Sequence, residues 1–269
     1  MNSFSKCSPK TDALSLVFAA LGGVVLLFLI APLAGMALGS PFPELVKTAA
    51  EAEVRGSIFL TLWTSLAGTL LFSVAAVPLA YLLARKQFPL KQVVSAIIDL
   101  PIVVPHSAAG IAILGFIAPS SLLGGAGERA GIHFVGGPAG IIAAMSFVSL
   151  PFLINAARDG FAAVPERLEK VALSLGASPT RVFFTISLPL AWRSIVSGLV
   201  MMWARGLSEF GAVAIVAYHP IVTPVLIYER FGAFGLKYAR PVAVLFLGVC
   251  LVFFIFVRFL SRRRNNAAS

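Results

Sequence analysis

Long stretches without a charged residue divide this chain into regular segments. No Asp, Glu, Lys or Arg occurs at positions 13–43, 56–84, 100–127 or 130–157. Each stretch is longer than the roughly 20 residues that a helix needs to cross a bilayer core of about 30 Å. The pattern therefore predicts four membrane-spanning helices in the first 157 residues.

Two further apolar stretches follow. Residues 194–218 are interrupted only by Arg205 and Glu209, and residues 241–257 are followed by basic residues. The apolar runs are continuous rather than alternating, which favours helices over a β-barrel. We predict an all-α polytopic membrane protein with spans at residues 13–38, 57–83, 93–117, 139–157, 194–218 and 240–260.

The predicted connections are short, with one exception. A loop at residues 158–193 separates the fourth span from the fifth. The spanning domain covers residues 13–260, between a polar N-terminal segment at 1–12 and a C-terminal tail at 261–269.

The composition agrees with this pattern. Of the 269 residues, 59% are hydrophobic and 12% are charged, whereas a soluble domain is about half apolar and roughly a quarter charged. So few charges cannot cover a surface that faces water, and this excludes a soluble enzyme.

Lys and Arg are distributed unevenly between the two sides of the predicted membrane topology. Fourteen of the 21 lie on the side that carries both termini, six lie on the other side, and Arg205 lies within a span. Because basic residues are retained in the cytoplasm, both termini are predicted to be cytoplasmic in a multi-pass cell-membrane protein. Because the basic residues follow the membrane topology, the net charge of +10 does not indicate a nucleic-acid site, and we expect membrane lipid rather than nucleic acid as a partner.

The first span could instead be a cleaved signal peptide, because Lys6 and Lys10 precede it and Gly35-Met36-Ala37 offers a small-x-small site. Its apolar run is much longer than the roughly 7–15 residues of a signal-peptide core. We therefore predict that it is retained.

The long loop has a helical pattern of its own. A first short helix is predicted from Pro165, which suits a first turn, to Gly176, which suits a left-handed C-cap. Glu166 and Glu169 favour its N-terminal end electrostatically. Its apolar residues recur at the spacing of one helix face and are Leu168, Val171, Ala172 and Leu175.

A second loop helix is predicted from Ser178 as N-cap and Pro179 as first residue, with Pro189 bending the chain into the fifth span. An exposed apolar helix face requires either a groove in a partner protein or the membrane surface. Periodicity alone leaves both interpretations open.

The same loop resembles the cytoplasmic signature of ABC importer permeases. That signature reads Glu-Ala-Ala, three residues, Gly, nine residues and Ile-x-Leu-Pro, and Ala172, Gly176 and Ile186-Ser187-Leu188-Pro189 have the matching spacing. Lys170 and Val171 depart from its first two positions, although Glu169 lies directly before them.

The resemblance implies a type I ABC importer permease-like fold and a homodimer. It implies that the first loop helix is a coupling helix, seated in a cleft of a separate cytoplasmic ATPase. Two such ATPase subunits, which bind ATP and Mg²⁺, and an extracytoplasmic binding protein would complete the transporter. The coupling residues that it implies are Glu166, Leu168, Glu169, Val171, Ala172, Leu175, Gly176, Ala177, Ser178 and Pro179.

We predict that this chain has no catalytic, nucleotide-binding or metal site of its own. The sequence has no phosphate-binding loop, so we predict that it is not an enzyme and binds no nucleotide. Cys7 and Cys250 are too few for a disulfide framework, and the three histidines are isolated from one another. No cofactor or metal site is therefore predicted.

Polar residues within the third span mark a candidate pathway. Asp99 is predicted at its cytoplasmic start, and Pro101 and Pro105 predict an irregular segment that would face protein or a polar cavity. Asp99 is equally consistent with a helix-start residue at headgroup level.

The fifth span carries Arg205 and Glu209 one helical turn apart, near the middle of the membrane. A lone charge there costs about 2.5–3.5 kcal/mol or more, so the two are predicted to neutralise each other or a neighbouring span. Gly206 and Gly211 would permit close helix contact. The pair either lines the pathway or only fixes packing; the pathway and gate candidates are Asp99, Pro105, His106, Ser107, Arg205, Ser208, Glu209 and Phe210.

Residues 204–212 also resemble the Ala-Arg-x-x-x-Glu-Phe-Gly-Ala segment of oxyanion permeases. The continuations at 217–220 and 227–230 are closer to the molybdate/tungstate branch, and residues 99–101 and 104–106 agree with it. The likeness extends from the second span onward and is weakest over the first 55 residues. It implies a permease subunit that imports molybdate or tungstate delivered by an oxyanion-binding protein.

Two alternatives differ from that interpretation. A sulfate/thiosulfate permease would share most of the same motifs. An ion-coupled secondary transporter would use Asp99, Arg205 and Glu209 as a relay, but it requires inverted repeats that the sequence does not display and gives the loop helices no role. No nucleophile–base pair or metal set supports an intramembrane enzyme.

Overall fold

The computed structural model describes residues 13–263, with side chains described for residues 14–255. Its regular structure is helical, and no strand occurs within that range. The predicted N-terminal segment 1–12, which includes Cys7, and residues 264–269 of the predicted tail lie outside the described residues. The chain divides into two units, Met1–Ala50 with Leu236–Ser269, and Glu51–Gly235.

The first unit contains three helices, α1 (Ala13–Leu38), α2 (Phe42–Ala50) and the last helix of the chain, α13 (Leu236–Arg263). The α13 helix packs against α2 and touches α1, and Arg240 Nη1 donates a 2.7 Å hydrogen bond to Gly39 O. Nearly all apolar side chains of α1 are exposed, which suits a helix in contact with lipid.

The second unit contains ten helices and a π-helical turn at Phe183–Ser187, which joins α9 directly to α10. The helices are α3 (Ala52–Arg85), α4 (Lys91–Val103), α5 (His106–Ile117), α6 (Leu122–Arg129), α7 (Pro138–Ala163), α8 (Glu166–Ser174), α9 (Pro179–Val182), α10 (Leu188–Leu207), α11 (Gly211–Val216) and α12 (Thr223–Phe234).

Two apolar clusters form the core of this second unit. The α3, α7 and α10 helices pack around residues such as Leu83, Leu153 and Ile195, all of them buried. The α5, α7, α11 and α12 helices enclose a second cluster that includes Ile141 and Val213. The central α7 helix contributes to both clusters and so joins them.

Five helical segments among the described residues are long and apolar enough to cross a membrane. They are Leu14–Leu38, Ala52–Arg85, Pro138–Ala163, Pro179–Leu207 and Leu236–Ile255. The α4 and α5 helices meet at 114° and would form a sixth span if counted as one.

The third and fifth predicted spans therefore differ from the observed helices. The third, at 93–117, is bent at Val104 and Pro105, as the irregular segment predicted from the prolines requires, whereas α4 continues through Pro101. The fifth, at 194–218, is not continuous, because α10 ends at Leu207 and a separate helix begins at Gly211. Its helix also begins earlier than predicted, within the loop assigned to residues 158–193.

Candidate functional site

The first loop helix, α8, ends as the sequence predicts. Gly176 has φ of +85°, in the left-handed region, and no atom outside its own neighbourhood would meet a Cβ there. Ala177 N donates to Ala172 O and Gly176 N donates to Leu173 O, each at 3.0 Å. These two bonds form a Schellman motif, which satisfies carbonyls at the end of the helix.

The beginning of α8 differs slightly from the prediction. Pro165 is the N-cap residue, with extended backbone, and the helix starts at Glu166. Since ψ of Pro165 is 117°, this residue lies outside the first turn in which the sequence placed it. Lys170 Nζ lies 2.9 Å from Glu166 Oε2, and this exposed contact lowers the pKa of the Glu166 carboxyl.

The second loop helix starts as predicted, with Ser178 Oγ accepting a hydrogen bond from Arg181 N and Pro179 as the first residue. It then passes through the π-helical turn into α10 rather than ending. Pro189 is the second residue of α10 and has no N–H to offer to Thr185 O, so regular bonding is interrupted at this point.

The two faces of α8 have different environments. Three residues of its predicted apolar face are exposed, Leu168 by 44%, Val171 by 53% and Leu175, the C-cap residue, by 83%, and Ala172 is half-buried. Glu169, which the family resemblance includes among the coupling residues, is buried. The exposed apolar face is the surface that the loop can offer to a partner.

Glu169 is held by Arg85, one of the fourteen basic residues on the side that carries both termini. Arg85 Nε lies 3.0 Å from both carboxylate oxygens, and Arg85 Nη2 lies 2.8 Å from Glu169 Oε1. Ser187 Oγ donates to the same Oε1 at 2.7 Å. We refer to Arg85, Glu169 and Ser187 as the clasp.

The helix break after α10 contains the predicted Arg205–Glu209 pair. Arg205 Nη2 donates to Glu209 Oε2 at 3.0 Å, although Glu209 lies beyond the end of the helix. Glu209 Oε1 accepts from Ala212 N at 2.9 Å, so the same carboxylate bonds the first turn of α11. The break is therefore stabilised by the residue that the sequence had placed inside a helix.

The break between α4 and α5 meets the break between α10 and α11. His106, the first residue of α5, has Nε2 2.9 Å from Arg205 Nη2 and Nδ1 3.6 Å from Glu209 Oε2. Ser208 Oγ lies 3.3 Å from Arg205 Nη1. These four residues form the break cluster.

Gly211 allows the two breaks to approach this closely. A Cβ at Gly211 would lie 2.8 Å from His106 Cβ, which is shorter than real Cβ contacts. The predicted role of Gly211 in close contact is thereby confirmed, as is that of Gly206, whose missing Cβ makes room for Ser65. Both glycines are needed for packing around the break cluster.

The other predicted pathway residues are only partly brought together. Asp99 lies inside α4, not at a helix start, and accepts a 2.6 Å hydrogen bond from Asn155 Nδ2 of α7. The Phe210 ring packs on Tyr228, with 4.8 Å between centroids. Pro105 and Ser107 flank His106 and are exposed.

Within residues 13–263, no group of three or more His, Cys, Asp and Glu side chains is placed to hold a metal ion.

Comparison with known proteins gives a family, relatives and a fold. The profile of the binding-protein-dependent transport system inner membrane component family matches residues 76–266. A molybdate/tungstate transport system permease protein, WtpB, of Thermococcus kodakarensis is 45% identical over 258 residues, which is 95% of this chain and 99% of the relative. A probable sulfate transport system permease protein, cysT, of Chlorokybus atmophyticus is 30% identical over 224 residues, 82% of this chain and 78% of the relative.

Among solved structures, a bacterial ABC transporter involved in the import of the acidic polysaccharide alginate matches with a TM-score of 0.71. It is 21% identical in sequence, and the match covers 92% of this chain and 95% of that one. This likeness establishes the fold. The chain belongs to the family of binding-protein-dependent transport system inner membrane components.

Proposed function

From this family membership we propose that the chain is the permease subunit of an ATP-driven importer of molybdate or tungstate. The observation that carries the proposal is the 45% identity to the Thermococcus kodakarensis permease across nearly all of both chains. The sulfate-type relative is more distant, at 30% identity over a shorter region. ATP hydrolysis belongs to separate subunits, because the family consists of membrane components.

The proposed transporter contains two copies of this chain, two cytoplasmic ATPase subunits and an extracytoplasmic oxyanion-binding protein, with lipid around the spans. ATP and Mg²⁺ bind to the ATPase subunits. The bias of basic residues supports cytoplasmic termini and a cytoplasmic position for α8 and α9.

The exposed apolar face of α8 supports its role as the coupling helix. Leu168, Val171 and Leu175 expose apolar surface beside charged residues, which suits a groove in a protein partner. The Gly176 cap and the Ser178 N-cap fix the turn that follows, so the face is presented in one orientation.

The break cluster is proposed as part of the translocation pathway. Arg205 is 22% exposed and His106 45% exposed, whereas Glu209 is 1% exposed. The buried carboxylate compensates the arginine, so an oxyanion would contact Arg205 and His106 without meeting a strongly attractive lone cation. A transport path requires such weak contacts, because the cargo must also leave.

Orientation is tested with Cys7. We expect a membrane-impermeant maleimide to label Cys7 only after the cells are opened, and a Cys7→Ser variant, which retains Cys250, to remain unlabelled. Labelling of Cys7 in intact cells would reverse the proposed orientation.

The function is tested by uptake into vesicles that contain the purified chain, its ATPase and its binding protein. Molybdate, tungstate and sulfate are offered in turn, with and without ATP. We expect ATP-dependent uptake of molybdate or tungstate in preference to sulfate. Preferred sulfate uptake would identify a sulfate permease, and uptake driven by an ion gradient without the ATPase would identify a secondary transporter.

A further inference from the structure

The clasp is buried far more deeply than a surface ion pair. The Arg85 side chain is 8% exposed and the Glu169 side chain 10% exposed, and both carboxylate oxygens accept hydrogen bonds from the guanidinium group. Bidentate hydrogen bonds between an arginine and a carboxylate are short and strongly directional. The geometry between these two side chains is therefore tightly fixed.

Several elements meet at this point. Arg85 is the last residue of α3, Glu169 is in the middle of α8, and Ser187 ends the π-helical turn that leads into α10. Arg85 Nη2 also donates a 2.9 Å hydrogen bond to Val164 O, directly after α7. The Glu169 carboxylate thus ties α8 to the end of α3 and to the turn that precedes α10, and Arg85 adds a bond to the residue that follows α7.

The α10 helix connects the clasp to the break cluster. It starts beside Ser187 and carries Arg205 in its last turn. Its 20 residues correspond to about 30 Å at about 1.5 Å per residue. A rigid connection at the loop end would therefore carry a displacement of α8 to the break cluster at the other end.

We propose that Glu169 is a positioning residue that makes the clasp a rigid joint between α8 and the core helices. This proposal rests on the proposed function, in which the ATPase moves α8. Glu169 then does not serve as a contact for the ATPase surface. It holds α8 to α3 and α10, so that a displacement of α8 also displaces α10 and the break cluster. Without this connection α8 would move while α10 stayed in place.

The test measures cargo imported per ATP hydrolysed, in vesicles that hold the complete complex with its binding protein, using molybdate as the probe. Glu169→Gln keeps the size of the side chain but removes the charge that Arg85 requires. We expect it to assemble and hydrolyse ATP, while molybdate imported per ATP falls by about tenfold or more. Ser187→Ala removes one hydrogen bond and is expected to lower the same ratio by about fivefold.

Asp159→Asn is the matched control. Asp159 is also paired with an arginine, Arg158, at 3.1 Å, but its side chain is 70% exposed. We expect the ratio to remain at the wild-type value, because an exposed pair fixes no joint. An equal loss in this control would show that any carboxylate on this side of the protein has the same effect, and it would overturn the proposal.

Three further results would test the role of Glu169 as a positioning residue. An unchanged ratio in Glu169→Gln would overturn the proposal; if that variant fails to assemble, an unchanged ratio in Ser187→Ala would do so. If the wild-type complex imports none of the oxyanions, the proposed cargo is wrong and the joint is judged by ATP hydrolysis without binding protein. Glu169→Gln is expected to raise that hydrolysis and Asp159→Asn to leave it unchanged.

Discussion

The clasp and the break cluster each contain an arginine–glutamate pair, but the two pairs are built differently. Arg85 and Glu169 lie 84 positions apart, and both side chains are at least nine-tenths buried. Arg205 and Glu209 lie four positions apart; the glutamate is buried, and the arginine keeps an accessible edge beside His106.

The difference in exposure matches the two proposed roles, the clasp as a rigid joint between helices and the break cluster as a contact site for the transported anion. The clasp directs its charged and hydroxyl groups at one another, so it has little to offer a ligand and can only hold elements together. The break cluster leaves polar groups accessible at a point where two helices are interrupted, and in the proposed pathway these groups would contact an anion and release it.

The largest effect is expected at the clasp. Arg85→Ala leaves a buried carboxylate without its partner and should lower the free energy of unfolding by about 3–5 kcal/mol. Chemical denaturation in mixed micelles measures this change. Arg158→Ala, at an exposed pair, should cost about 1 kcal/mol or less, and a similar loss in both variants would remove the distinction between a joint and a surface pair.

The break cluster should behave as a coupled pair. Arg205→Gln and Glu209→Gln are each expected to destabilise the protein, and the double variant should be more stable than the sum of the two losses indicates. The coupling free energy is expected to be about 0.5–3 kcal/mol for groups in contact. The amide oxygen introduced by Glu209→Gln can still accept from Ala212 N, so the cycle reports on charge pairing. Strictly additive losses would mean that each charge has another partner.

A substitution at Gly176 separates the exposed face of α8 from the clasp on its other side. Gly176→Val strains a left-handed residue by about 1–2 kcal/mol and should turn the apolar face away from the ATPase groove that is proposed to hold it. We expect the chain to insert but to retain little ATPase during purification. Gly131→Val introduces the same strain at φ of +75°, with the same open surroundings, and should retain the ATPase. Equal retention by both variants would contradict the coupling-helix assignment.

The smallest change in stability is expected at His106. His106→Gln keeps hydrogen-bonding groups near Arg205 and should alter the free energy of unfolding by only about 0.5 kcal/mol, because the side chain is 45% exposed. The molybdate concentration that gives half-maximal uptake should nevertheless rise by about two- to fivefold. An unchanged concentration would place the break cluster outside the pathway.

The parts of the loop that the sequence predicted correctly depend on local signals. Gly176 and Ser178 act within a few residues of themselves, through backbone conformation and a side chain-to-backbone bond. Such signals are readable without tertiary structure. The clasp had no comparable signal, because Arg85 and Glu169 are distant in sequence and only folding brings them together.

At the helix break after α10, residue spacing predicted the right contact but the wrong secondary structure. Arg205 and Glu209 have the spacing of neighbours on a helix, and they do form an ion pair. The helix nevertheless ends between them, at Leu207, and Glu209 accepts a hydrogen bond from Ala212 N in the first turn of the next helix. At the other break, Pro105 gave a readable signal, whereas the contact of His106 with Arg205 spans 99 positions and was not predictable.

The π-helical turn at Phe183–Ser187 has a consequence for insertions and deletions. A π-helical turn holds one residue more than the α-helix around it needs, and each residue of an α-helix advances the side chains by about 100°. Deleting Phe184, which is 60% exposed, would convert the turn to α-helix and leave the angular phase of α10 unchanged. The same deletion further along α10 would rotate every later side chain, Arg205 included, away from its neighbours. This short turn is therefore the place in the helix where evolution can change the length of the chain without turning the helix.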